Sequence, residues 1–202
     1  PGNNEVYDDD EIMDITKTKP GEVHNKSQVT TDAETVRKGY ESSGYINANV
    51  EPQVTLNKED KTTHVVQQVQ EGDLKYVKEI TVTGNDITRD DVVRREIFLN
   101  PGERFDGGLL EASHRRLEST EYYDAIRFST QDLPEDPRHS DLLVDVDEGK
   151  TGFFNFGAGY NTDEGIGGYT ELKFNNFDIK NWPTFQGGGQ QLRLRGAVVQ
   201  CR

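Results

Sequence analysis

Val77 to Thr83 carries β-branched residues in alternation and runs into Gly84-Asn85, the pattern of a strand entering a tight turn. Thr88 follows as an expected helix N-cap. Asp90 and Asp91 suit the positive end of the dipole, and Val92, Val93, Ile97 and Phe98 supply a buried stripe until Pro101-Gly102 stops the helix. A second helix is predicted from about Gly108 to Thr120, with Leu109, Leu110, Ser113 and Leu117 on one side and Arg115, Arg116 and Glu118 off it. Strands from about Ala125 to Thr130 and Asp141 to Val146 close the unit, and the prolines of Leu133 to Pro137 predict an irregular connection between them. The order is strand, helix, helix, strand, strand, an α+β unit with two helices on one sheet face. A ferredoxin-like or RNA-binding unit has similar size, but the aromatic strand residues and basic face of the latter are missing.

The unit occurs twice. Lys19-Pro20-Gly21-Glu22 returns as Asn100-Pro101-Gly102-Glu103 at a spacing of 81. Tyr40 to Tyr45 aligns with Leu117 to Tyr122, and Val65 to Gly72 with Leu142 to Gly149, both at a spacing of 77. The first copy is predicted to have helices around Asp9 to Thr16 and Thr30 to Ser43, then strands near Ala48 to Leu56 and Thr62 to Gln70. On this reading the first copy is expected to lack its opening strand. Gly2-Asn3, the counterpart of Gly84-Asn85, reads as the end of that strand, and Gly72 to Tyr76 as a short connector between copies.

After Lys150 the alternation changes character. Phe154, Phe156, Ala158 and Tyr160 project to one side, Phe153, Asn155, Gly157 and Gly159 to the other. Beyond a turn at Asp163-Glu164-Gly165, Thr170, Leu172 and Phe174 share a face opposite Tyr169, Glu171, Lys173 and Asn175. Past Gly187-Gly188-Gly189, Leu192, Leu194, Gly196 and Val198 lie opposite Arg193 and Arg195. Segments of roughly ten residues, apolar on one face and polar on the other, suit a lipid-facing β-barrel with a wet interior. Trp182 and Phe185 suit an interfacial girdle. Ordinary half-buried strands of a soluble sandwich share this periodicity.

Charge reinforces the boundary. The chain has a formal net charge of -14, and residues 151–202 hold five basic and four acidic side chains, which leaves -15 for residues 1–150. Acidic excess excludes phosphate-backbone recognition, so no nucleic-acid partner is expected. With hydrophobic residues at 32% and charged residues at 30%, several small modules fit better than one thick core. Cys201 is the only cysteine, and no apolar run of about 18 residues is present for a helical membrane span. His24, His64, His114 and His139 are scattered without ligand spacing, Asp8 to Glu11 lacks the pattern of a calcium loop, and Gly157-Ala158-Gly159 opens no helix. No catalytic residue, metal or cofactor is expected.

Ile80 to Gly84, Arg94-Arg95-Glu96, Pro101 to Phe105, Tyr122-Tyr123-Asp124 and Thr151 to Tyr160, in that order, resemble the last POTRA modules and first barrel strand of BamA-like outer-membrane assembly factors. The resemblance implies a POTRA module lacking its first strand over 1–74, a complete one over 75–149, and the first strands of an incomplete transmembrane barrel over 150–202. Against the family pattern the chain is expected to lack most of the barrel, and Gln200-Cys201-Arg202 is not expected to continue a strand. Members receive unfolded outer-membrane proteins in the periplasm and insert them into the outer membrane without nucleotide or metal. By the same resemblance, residues 1–149 are periplasmic, the tail meets outer-membrane lipid, and Arg94, Arg95 and Glu96 lie where members meet an accessory lipoprotein. An internal salt bridge is the alternative use of that triplet. Thr151, Gly152, Phe153, Phe154, Asn155, Phe156, Gly157, Ala158, Gly159 and Tyr160 would form a first strand that templates client strands. A polypeptide-translocating pore of the two-partner secretion type and a soluble periplasmic docking module are the rival readings.

Overall fold

A computed structural model describes residues 6–161 and 165–200. The expected strand end at Gly2-Asn3, the turn residues Asp163 and Glu164, and Cys201-Arg202 lie outside them. The first copy contains α1 (Asp9–Ile15), α2 (Lys26–Ser42), β1 (Asn49–Asn57) and β2 (Thr62–Gln70). Asp8 caps α1: its Oδ1 accepts from the Glu11 N–H at 2.8 Å, and Glu11 accepts from the Asp8 N–H at 3.0 Å. The Asp8 to Glu11 acids therefore build a capping box at the positive end of a helix. Asn25 accepts from the Ser27 and Gln28 N–H groups, so α2 starts at Lys26, ahead of the expected Thr30. β1 and β2 pair antiparallel from Asn49↔Gln70 to Asn57↔Thr62, and α2 packs on β1. Ile12, Ala33, Val36, Tyr40, Ala48 and Val50 form the core there. Tyr40 is fully buried, edge-on to Tyr7 and Tyr45, and its hydroxyl donates to Glu71 at 3.0 Å.

The second copy contains β3 (Tyr76–Thr83), α3 (Asp90–Arg94), α4 (Gly107–Glu118), β4 (Tyr123–Leu133) and β5 (Asp136–Glu148), with sheet order β3-β5-β4. β5 alternates as a central strand covered on one face, burying Ser140, Leu142, Val144 and Val146. Four local expectations are corrected. Thr88 does not cap α3: it is buried, its Oγ1 accepts from Asn176 Nδ2 at 2.7 Å, and Arg89 takes the cap position without a side-chain bond. The helix is short, ending at Arg94; beyond it the Phe98 N–H donates to the buried Ser113 Oγ at 2.9 Å, and Phe98 is about half exposed rather than buried. Leu109 is also exposed, and the buried stripe of α4 reduces to Ser113 and Leu117. Finally, β4 and β5 run up to a tight turn at Pro134-Glu135 rather than an irregular connection. Proline supplies the φ that the second turn position needs, and Pro137 is held in β5, where its carbonyl accepts from Lys75 Nζ at 2.7 Å.

The repeated Pro-Gly motif folds alike in both copies. The Glu22 N–H donates to Lys19 O at 3.4 Å and the Glu103 N–H to Asn100 O at 3.2 Å, while each glutamate accepts from the opening residue's N–H. Gly21 and Gly102 have φ of 88° and 86°, where a side chain would be strained. Contacts divide the chain into two compact units: residues 1–79 with 99–111 and 131–141, and residues 80–98 with 112–130 and 142–202. The second copy thus contributes to both. Within the first unit, Lys75 ties the connector down: its N–H donates to Gly44 O at 3.0 Å and its buried ammonium to Asp132 at 3.1 Å. The second unit also holds β6 (Gly152–Asn161), β7 (Gly165–Phe177) and β8 (Gln190–Gln200), a sheet of order β6-β7-β8.

Candidate functional site

The C-terminal sheet fixes which residues share a face. β6 and β7 pair antiparallel with Phe154 opposite Leu172 and Phe156 opposite Thr170; β7 and β8 pair with Leu172 opposite Leu194 and Gly168 opposite Val198. One side of all three strands is therefore apolar, as the alternation predicts. Nothing covers it. Phe156 is 77% exposed, Val198 75%, Tyr160 71%, Ile166 65% and Phe154 61%, on a chain otherwise rich in charge. A contiguous apolar face of this kind marks an interaction surface.

The other side is polar and internally paired. Glu171 pairs diagonally with Arg193 at 4.0 Å, the Arg195 guanidinium lies 5.3 Å from the Tyr169 ring centre, and the Lys173 ammonium 5.9 Å from that of Phe153. Gly157 sits opposite Tyr169, and a Cβ there would come within 2.5 Å of the ring, so this glycine makes room for an aromatic neighbour. Gly152 does the same for Phe174 at 3.2 Å, whereas Gly159 faces open space. β6 pairs with β7 along its length, and among the described residues no strand pairs with its outer edge.

Arg94, Arg95 and Glu96 are brought together by internal pairing. Arg94 bonds Asp90 and donates to Ile80 O at 2.7 Å, which joins α3 to β3. Glu96 is 8% exposed and accepts from Arg95 Nε at 3.0 Å and Arg116 Nε at 2.6 Å. Burial alone would raise its pKa, but hydrogen bonds from Arg116 and Arg95 outweigh that and hold the carboxyl below the ordinary glutamate range. Arg95 and Arg116 keep about half of their side chains in water.

A second constellation escaped the sequence reading. Asn176, buried at a φ of 55°, donates to Thr88 and accepts from the Gly189 N–H at 2.9 Å, while its carbonyl accepts from the Gly187 N–H at 2.8 Å. Gly187 O accepts from the Arg89 N–H at 3.1 Å, and the Glu148 carboxylate takes the Ile87 and Thr88 N–H groups at 2.7 and 2.6 Å. A Cβ on Gly187 would lie 2.2 Å from Ile87 O, and one on Gly189 2.3 Å from the Arg95 guanidinium. The loop between β7 and β8 is thereby docked on the residues around α3. The one advance signal was the run Gly187-Gly188-Gly189, which reads equally well as a plain turn.

The POTRA family profile, described as surface antigen variable number repeat, matches residues 2–72 and 75–149. The chain belongs to the POTRA family. Within it, the chain is a homologue of BamA-like, POTRA-containing outer-membrane assembly factors. It is 32% identical over 156 residues to the outer membrane protein assembly factor BamA of Neisseria meningitidis, covering 77% of this chain and 20% of that protein. The BamA of Buchnera aphidicola is 29% identical over 154 residues, covering 76% and 25% respectively. This POTRA chain thus spans about a fifth to a quarter of the length of those relatives. Among solved structures, BamA from Haemophilus ducreyi lacking POTRA domains 1–3 superposes with a TM-score of 0.77 at 27% identity, over 95% of this chain and 35% of that one. Haemophilus influenzae BamA POTRA3–5 gives 0.65 at 18% identity, over 69% and 55%, and shares the fold.

Proposed function

We propose that the chain is part of an outer-membrane β-barrel assembly factor, with modules at 1–74 and 75–149 in the periplasm and β6–β8 as the first strands of a lipid-facing barrel. The uncovered apolar face across β6, β7 and β8, opposite a polar face of paired charges, carries this reading. In lipid every backbone polar group must be satisfied internally, so such a sheet needs further strands to close it. The likeness to the Haemophilus ducreyi structure, at 95% of the chain, reaches well past Lys150 and supports the same assignment.

β6, which covers all of the expected Thr151 to Tyr160 template but Thr151, is then the strand that captures clients. Among the described residues no strand pairs with its outer edge, and an incoming unfolded outer-membrane strand adds to it by β-augmentation. A photo-crosslinking residue in place of the exposed Asn155 should trap unfolded outer-membrane proteins in cells, whereas one at Phe156, on the lipid side, should trap few. Failure of the Asn155 probe to crosslink any barrel protein rules the template role out.

For the accessory lipoprotein, the exposed flanks of Arg95 and Arg116 are the surface to read, since Glu96 is committed to holding them. Arg116→Glu should weaken lipoprotein co-purification from membranes. Unchanged recovery at low and high salt removes this docking site.

A further inference from the structure

The loop between β7 and β8 has an outer rim as distinctive as its docked inner one. Phe177 at the end of β7 stacks on Phe185 with ring centres 5.9 Å apart, and Trp182 meets Phe185 edge-on at 5.2 Å. The sequence grouped Phe185 with Trp182, but Phe185 is half-buried in this ladder. Trp182 is 77% exposed and Ile179 66%. The loop is stitched internally: the Phe185 N–H donates to Asn181 O at 2.6 Å, and Asn181 Nδ2 to Gln186 O at 2.8 Å. Trp182 is thus presented on a fixed knuckle, and Asp178 and Asn176 at its base are buried.

An exposed indole beside Ile179 and Pro183, interleaved with Lys180, Asn181 and Thr184, has the mixed character of the membrane–water boundary. There the ring buries its apolar body, the N–H stays hydrated and a lysine reaches the headgroups. The ladder takes over at Phe177, just after the apolar face of the sheet ends at Phe174 and Leu192. We infer that the Ile179–Trp182–Pro183 knuckle is a lipid-interface anchor, bedded at headgroup depth and tied through Asn176, Gly187 and Gly189 to the α3 end of the second module. The anchor rests on the lipid-facing reading of β6–β8, and it adds a fixed attachment of the module to the bilayer surface.

Trp182 is the sole tryptophan of the chain, so its fluorescence reports on the knuckle alone. The chain is reconstituted in vesicles of phosphatidylglycerol and phosphatidylcholine, the latter brominated either next to the headgroup or near the chain end. Trp182 emission should shift to the blue and lose more intensity to the bromines nearest the headgroup. In a Trp182→Phe, Phe156→Trp chain the sheet probe should be quenched as well, and more by the deeper bromines. Quenching at position 156 with water-like, unquenched Trp182 overturns the anchor while leaving the strand assignment standing, and returns the knuckle to a protein partner. Quenching of Trp182 alone removes the lipid-facing strands and, with them, the anchor that rests on them. Loss of both signals overturns both.

Discussion

Glu96 illustrates how one residue can look like a docking site and serve as a brace. Its carboxylate is buried between two half-exposed arginines, so removing it strands no buried cation, and Glu96→Ala should cost about 1–3 kcal/mol. Glu96→Lys should cost more, because it buries a third cation beside the two. Since the folded-state pKa lies below the unfolded one, the carboxylate stabilises the fold above the ordinary glutamate range, and this contribution is lost as pH falls through the folded value. Urea titrations between neutral and acid pH should therefore show a steeper loss for the wild type than for Glu96→Gln. Identical slopes contradict the brace. At Gly157 and Gly159 the same scale separates two uses of glycine. Gly157→Ala, pressed on the Tyr169 ring, should destabilise the folded chain in detergent by about 1–3 kcal/mol, and Gly159→Ala, facing open space, should be close to neutral. Equal effects at the two positions would mean that Tyr169 does not depend on the gap.

Elements built from local rules were legible in the sequence. Strand alternation placed β5 and the faces of β6–β8, and the Pro-Gly-Glu repeat marked the same turn twice, because side-chain periodicity and turn chemistry act over a few residues. α3 was overestimated because the threonine expected to cap it and the arginines near its end serve partners far along the chain instead. Thr88 bonds a residue 88 positions away, and Arg95 reaches Gly189 O at 3.4 Å across 94. No local pattern announces such a bond. The docked loop carries its own prediction: Asn176→Ala should cost about 1–3 kcal/mol by removing the bonds that Asn176 makes to the Thr88 hydroxyl and the Gly189 N–H. Gly187→Ala should cost at least as much, since its Cβ meets a backbone carbonyl. Denaturant midpoints together with exchange of the Gly187 and Gly189 amides would register both; unchanged protection in Asn176→Ala would mean that the loop is held elsewhere.

For the molecule as a whole, two POTRA matches over residues 2–72 and 75–149 precede a sheet whose apolar side is uncovered among the described residues. Lipid contact there predicts that Phe156→Arg reduces partitioning of the folded chain into vesicles by roughly 2–4 kcal/mol, as a charge on the lipid side of a membrane strand does. Arg193→Gln, on the opposite face, should change it little. The central claim, that β6 offers its outer edge to client strands, is tested most directly by amide exchange across the sheet. A peptide copying a strand of an unfolded outer-membrane protein is added to the reconstituted chain. The account predicts new protection at the β6 amides whose N–H groups point away from β7, with β8 unchanged. Equal protection of β8, or none in β6, would contradict it.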